Sequence, residues 1–399
     1  MTASKSFSAA AVFAAATLGA EVSASAAMFK DGDRVVFFGD SITAGGNYHR
    51  YLSDYYITRF PDADIRFFNA GVGGDNSHNA AMRFADDVAT RRPTAISVMF
   101  GMNDFGFRCY NDTETEKNLR EESAKRGATL VDFYTVLNDA FRERRRLNPS
   151  EIFASDRVHV CAGVHLLMAM AFLVAQKADR VVSDIALREG RSIKSIKADV
   201  SDIVTNENGS ISFTVLEKSL PMPFADDASS CTNAPIVAEY NQQILAFYML
   251  NDGDWMLTID GEEICAASAA EWERGVNLAF NKKTPQHRQA MKVLEANRAR
   301  SARANEIEAA RRRIRHEMLH KMPQQKLDPA KAEDREVYLA KSLEKMWWKP
   351  AKIQMTAAVR EWNDLELMLD ECDEAWPKVR ALAKPVPHKY VLRRIENVK

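Results

Sequence analysis

The 399-residue sequence carries almost no net charge, with 54 lysines and arginines against 55 aspartates and glutamates. Lacking a basic surplus, it is not built as a general nucleic-acid binder, which draws affinity from displaced phosphate counterions. It also lacks a long hydrophobic run. The apolar stretch near its start, Phe7 to Gly19, falls short of the about 20 residues that cross a bilayer. Cysteine pairs are missing as well: Cys109, Cys161, Cys231, Cys265 and Cys372 show no C-x-x-C spacing, which argues against a thiolate metal centre. Their odd number leaves at least one thiol free. Buried free thiols are the simpler expectation, and Cys231 with Cys265 is the one pairing to test. With 46% apolar and 27% charged residues, the chain can bury an ordinary globular core.

What is present begins with a leader. Lys5, the alanine-rich run from Phe7 to Gly19 and the small residues Ala24-Ser25-Ala26 follow the order of a secretory signal peptide over residues 1–26. The competing reading is an alanine-rich N-terminal helix. The expectation is export to the periplasm or the extracellular space, with no membrane span in the mature chain.

Three blocks follow. Arg34 to Phe38, Ile65 to Phe68, Ala95 to Phe100 and Thr129 to Asp132 are short apolar runs separated by helical stretches, including Glu114 to Arg126. A helix from His165 to Ala178 closes the series. Continuous apolar strands alternating with helices indicate an α/β layered domain with a parallel sheet, here over residues 30–188. Residues 190–283 change to short β-type runs, such as Ser210 to Val215, and read as a small β module. Leu245–Leu250 and Trp255–Ile259 flank Asn251-Asp252-Gly253-Asp254, a hairpin signal. Residues 284–399 form a charged helical region with helices expected around 285–321, 329–347 and 351–374. Asp328-Pro329 gives a helix start, and the alternating run Lys389 to Ile395 gives a terminal strand that returns to the β module.

Four motifs stand at successive strand ends. Gly39-Asp40-Ser41-Ile42-Thr43 follows the first strand, Asn69-Ala70-Gly71-Val72-Gly73-Gly74-Asp75 the second and Gly101-Met102-Asn103-Asp104 the third. Asp156-Arg157-Val158-His159 precedes the last helix. Open α/β sheets bind ligands at the carboxyl ends of their strands. Serine is a poor nucleophile until a base takes its proton, which His159 can do. Asp156 can hold the imidazole tautomer. The backbone N–H groups of Ser41 and Gly74, with the Asn103 amide, offer donors for an oxyanion. Asp40 and Asp104 read as loop-bracing carboxylates, and His49 and His78 either line the pocket or lie on surface loops.

Over about residues 33–180 the chain resembles the SGNH hydrolases, also called GDSL-type lipases and esterases. Ser41 matches the nucleophile, with Ile42 where the family's name has leucine. Gly74 matches the second-block glycine, Asn103 the asparagine of G-x-N-D, and Asp156 with His159 the terminal D-x-x-H. Gly275 to Ala279 and Thr284-Pro285-Gln286 resemble the C-terminal extension of a bacterial exported subgroup. The resemblance implies a flavodoxin-like doubly wound parallel sheet, a Ser41–His159–Asp156 triad, an oxyanion hole of Ser41, Gly74 and Asn103, and no metal or cofactor. Together with export, it implies small acyl esters as substrates, with O-acetyl groups on carbohydrates favoured. Two departures stand against it. Val160 and Cys161 replace the usual proline and glycine, though His165 fits the later G-H pattern loosely. The interval from Asn103 to Asp156 reads as one helix and one strand, a helix–strand unit short. The chain then pairs Ala95–Phe100 directly with Thr129–Asp132, or it is an impaired module that kept the motifs.

A rival motif lies further on. His316-Glu317-Met318-Leu319-His320 has the H-E-x-x-H form of zinc metalloproteases. Its flank, Arg311 to Arg315, is solvent-facing in character, and a third ligand would come from Glu333, Glu336 or Glu344. A solvated charged helix is the plainer reading. The basic residues from Lys282 to Arg315 read as a solvated face paired with later acids, or else as a polyanion-binding face.

Overall fold

The computed structural model describes residues 11–14, 28–104, 121–150, 152–154, 156, 158–225, 228, 231–313, 322–360 and 365–395. The chain divides into two compact units, Met1–Glu295 with Arg380–Lys399, and Ala296–Val379.

The first unit opens on the α/β domain. Strand β2 (Arg34–Gly39) lies between β3 (Arg66–Gly71) and β4 (Ala95–Met99), parallel to both. Val35 and Phe37 enter one core, with Tyr48, Tyr51 and Leu52 of α2 (Asn47–Arg59) and Phe172 of α5 (Ala162–Ala175). Val36 and Phe38 enter the other, with Ala80 of α3 (Ser77–Asp87), Val88 and Ile96. Burial on both faces is why the strand reads as an unbroken apolar run. The α/β class with a parallel sheet is as expected.

The edge of this sheet departs from expectation. β4 does not pair with β5 (Thr129–Val131). Strand β1 (Ala11–Ala14) lies between them, antiparallel to each, and the order is β3-β2-β4-β1-β5. A sheet one strand short leaves two rows of unpaired N–H and C=O groups, and an extended segment inserted there satisfies both. Residues 11–14 are therefore extended rather than helical, and the rest of the leader is outside the described residues. The sequence reading also missed a helix. After β5 comes α4 (Phe133–Leu147), whose N-cap Asp132 accepts from Thr135 N. The interval before Asp156 thus holds a strand and a following helix, with a helical end at 121–125 ahead of them.

The rest of the first unit is two packed sheets. One has the order β13-β10-β6-β7 and the other β12-β11-β14-β9-β8. β6 (Val181–Arg188), inside the span expected for the α/β domain, pairs with β7 (Arg191–Ile196) and β10 (Gln242–Tyr248). The expected hairpin is not formed, because β10 and β11 (Asp254–Ile259) belong to different sheets. Met249, at φ 60, starts the change of direction there. The actual hairpin joins β11 to β12 (Glu262–Ser268) around Asp260 and Gly261, both at positive φ. β14 (His388–Arg394) returns between β11 and β9 (Ile211–Glu217), as expected. β8 (Ala198–Thr205) and β13 (Val276–Asn277) lie at sheet edges. The Cys231–Cys265 pairing is not made. Cys231 is buried in the α/β core and Cys265 packs on the separate β core.

The second unit is helical and has a small core of Met322, Tyr338, Leu339, Met355 and Val359. The expected helix at 329–347 is Ala332–Lys345 and begins after Lys331. Asp328 instead turns the chain ahead of it, its Oδ1 accepting from Ala330 N at 3.0 Å. The span expected as one helix at 351–374 is two, Lys349–Arg360 and Leu365–Leu382. The helix expected at 285–321 is described over Pro285–Arg313. His316 to His320 lie outside the described residues.

Candidate active site

Ser41 begins the short helix α1 (Ser41–Gly45) at the carboxyl end of β2. A Cβ on Gly39 would lie 2.2 Å from Thr43 Oγ1 and 2.8 Å from Met99 O, so only glycine lets the helix fold back this tightly. Buried Asp40 caps the helix by accepting from Ile42 N at 3.0 Å. Burial pushes its carboxyl up, while the Ile42 N–H and His159 pull the other way.

His159 reaches Ser41 from a separate loop. Ala154 and Val160 bridge as an antiparallel pair, and Cys161 N donates to Phe153 O at 2.9 Å, closing that loop. The Cys161 carbonyl accepts from Val164 N and His165 N, so α5 still starts properly without the family's proline and glycine. His159 Nε2 lies 2.9 Å from Ser41 Oγ, and His159 Nδ1 lies 2.6 Å from Asp156 Oδ2. Asp156 Oδ1 accepts from Val158 N and His159 N at 2.9 and 2.7 Å. The His159 side-chain bond and then these two amides hold the Asp156 carboxyl well below the usual carboxylate range. An ionised carboxylate only accepts, so Nδ1 carries the proton and Nε2 is left to accept from the serine hydroxyl. Both side chains are open to solvent, 56% for His159 and 51% for Asp156.

The oxyanion candidates stand on neighbouring loops. Gly74 is at φ +72, a left-handed conformation that favours glycine. Asn103 Nδ2 donates to Asp75 O at 2.8 Å, tying the third loop to the second. That bond uses one amide hydrogen and leaves a second. Asp104 Oδ1 accepts from Ser77 N at 2.9 Å and bonds the Ser77 hydroxyl. Asp40 and Asp104 are thus loop braces.

His49 is neither a pocket wall nor a surface residue. It is buried, stacks on Phe37 at 4.8 Å and places Nε2 3.2 Å from Thr43 O. Its place on the buried face of α2 decides this. His78 is exposed in the first turn of α3. The sequence reading did not single out Tyr48, whose hydroxyl lies 3.1 Å from Thr43 Oγ1 and supports α1 from below. A tyrosine inside a helix gives no such signal.

A parallel α/β sheet with a serine at the first strand's end and a histidine on a late loop defines a hydrolase-like domain. Residues 37–121 match the model of the GDSL-like lipase/acylhydrolase family. Over 88 residues the chain is 28% identical to an acetylxylan esterase of Geobacillus stearothermophilus, covering 18% of this chain and 40% of that protein. Over 76 residues it is 37% identical to the uncharacterized lipoprotein YqeF of Bacillus subtilis (strain 168), covering 18% of this chain and 31% of that one. The match therefore spans less than half the length of either curated relative. Among solved structures, BT4096, a gut microbial diltiazem-metabolizing enzyme, is similar with a TM-score of 0.79 and 27% identity. That likeness covers 94% of this chain and 100% of the other.

Proposed function

We propose that this protein is an exported serine esterase that removes small acyl groups, O-acetyl groups on carbohydrates above all. The observation that carries the reading is the relay from Ser41 Oγ to His159 Nε2 at 2.9 Å and from His159 Nδ1 to Asp156 Oδ2 at 2.6 Å. His159 takes the hydroxyl proton as Ser41 Oγ attacks the ester carbonyl. The developing oxyanion is received by the N–H groups of Ser41 and Gly74 and the amide of Asn103. Collapse expels the alcohol, which takes the proton back from the imidazolium while Asp156 stays ionised. Water then repeats the cycle, releasing the acid and freeing Ser41.

The GDSL family match and the acetylxylan esterase relative support an acetyl ester as substrate. The solvent-open edge of His159 and Asp156 leaves room for a bulky alcohol such as a sugar chain. The leader pattern at residues 1–26 supports export, and one relative is a lipoprotein. The test is turnover of p-nitrophenyl acetate, acetylated xylan and a long-chain p-nitrophenyl ester, with Ser41→Ala as control. Acetate release from the first two and little from the third is expected, all lost in Ser41→Ala. Wild-type turnover in Ser41→Ala would remove the nucleophile assignment. Acetyl esters left intact by an active enzyme would remove the substrate assignment.

A further inference from the structure

The geometry points to Arg83 as a positioning residue that sets the oxyanion donors, a role that rests on the esterase reading above. Arg83 lies on α3, away from the triad, yet its guanidinium joins the ends of two strands and a loop. Nη2 donates to Gly39 O at 3.2 Å, at the turn that carries Ser41. Nη1 donates to Ala70 O at 2.8 Å, near the end of β3. Nε and Nη2 both lie 2.7 Å from Asp75 Oδ2, next to Gly74. Asp75 is buried, and its carbonyl accepts from the Asn103 amide. One planar fork therefore fixes the backbone of the Ser41 turn, the residue beside Gly74 and, through Asp75, the Asn103 side chain.

The fork is itself held. Nη1 also donates to Asp87 Oδ2 at 3.0 Å, and the guanidinium sits 4.5 Å over the Phe38 ring. Charge-assisted bonds of this kind are short and directional, and a lysine cannot reproduce the fork. Oxyanion stabilisation depends on donors fixed before the charge develops, so small displacements of these loops cost rate rather than substrate binding.

The test is Arg83→Met, which keeps a stem over Phe38 and removes the fork, assayed on p-nitrophenyl acetate below its melting transition. The expected result is a kcat loss of roughly 10–100-fold with KM nearly unchanged, a smaller loss than deleting a donor outright. Affinity for a boronic acid that forms a tetrahedral adduct on Ser41 should weaken in parallel with kcat. Arg83→Lys should recover little, because it restores charge but not geometry. If Arg83→Met does not fold, Asp75→Asn, which weakens the anchor beside Gly74, carries the same expected split between kcat and KM. Wild-type kcat in a folded Arg83→Met protein, or a loss that only tracks the folded fraction, overturns the role. Wild-type turnover in Ser41→Ala would instead overturn the esterase reading itself, so the two failures are distinguishable.

Discussion

The imidazole of His159 can serve as a base only because its other nitrogen is committed to Asp156. That commitment was legible in the sequence, since D-x-x-H places both groups on one tight loop. Ser41 was legible too, because a serine just past a glycine at a strand end is exposed by the turn. Arg83 was not, because an arginine inside a helix looks like any solvated residue until the fold brings strand ends to it. Removing one of the proposed oxyanion donors, Asn103→Ala, should lower kcat on p-nitrophenyl acetate by about 10²–10³. An unchanged kcat would make Asn103 only a tie to Asp75. His165 bears on acid stability. It is buried, lies parallel to Tyr48 at 6.2 Å, and its Nδ1 has no hydrogen-bond partner among the described residues. Burial, then the charges of Arg50 and His159, pushes its pKa down to about 4. The unfolded chain therefore takes up this proton first, and stability falls as the pH drops from about 6.5 toward 4. The loss amounts to roughly 3 kcal/mol at full protonation. His165→Phe should flatten that acid limb in thermal melts across this range, and an unaltered slope would assign it to other groups.

At the scale of elements, the sequence located strands well and their partners poorly. The runs at 34–39, 66–71 and 95–99 were readable as mostly apolar, most cleanly in β2, where burial on both faces leaves Val35 to Phe38 uninterrupted. The hairpin around 251–254 failed for a physical reason: turn residues report that the chain reverses, not which sheet receives it. The helix Phe133–Leu147 had a readable stripe, Phe133, Val136, Leu137 and Ala140, all packed on the α/β core. The insertion of β1 was not readable, since the leader reads as a signal for removal. Its removal would leave β4 and β5 each with an unpaired edge. A chain starting at residue 27 should therefore melt below the full chain, and amides facing β1, such as those of Ile96 and Val98, should exchange faster. Equal melting and equal exchange would mean that β4 and β5 close on one another once the leader is gone.

At the scale of the molecule, the two sheets of the β part share an apolar core, and one buried carboxyl bridges them within it. Glu217 ends β9 in one sheet, and its Oε1 accepts from Ser183 Oγ of β6 at 2.8 Å and from Gln243 Nε2 of β10 at 2.7 Å in the other. Nearby, Gln286 Nε2 lies 2.7 Å from the Tyr390 hydroxyl. Alternation sets Glu217 on the same inward face as Ile211, Phe213 and Val215, and only its charge reads as surface. Burial pushes its carboxyl up, against the opposing pull of the bonds from Gln243, Ser183 and Gln286 and of the His388 charge. The folded state therefore favours the protonated form. The stability from that preference is complete below the ordinary glutamate value, about pH 4.3, and is lost as the pH rises through the raised value. Glu217→Gln keeps an acceptor for the same two bonds and cannot ionise. The difference in melting temperature, variant minus wild type, should grow as the pH rises from about 4. A difference that stays constant with pH would show that folding leaves the Glu217 pKa where it stands in the unfolded chain.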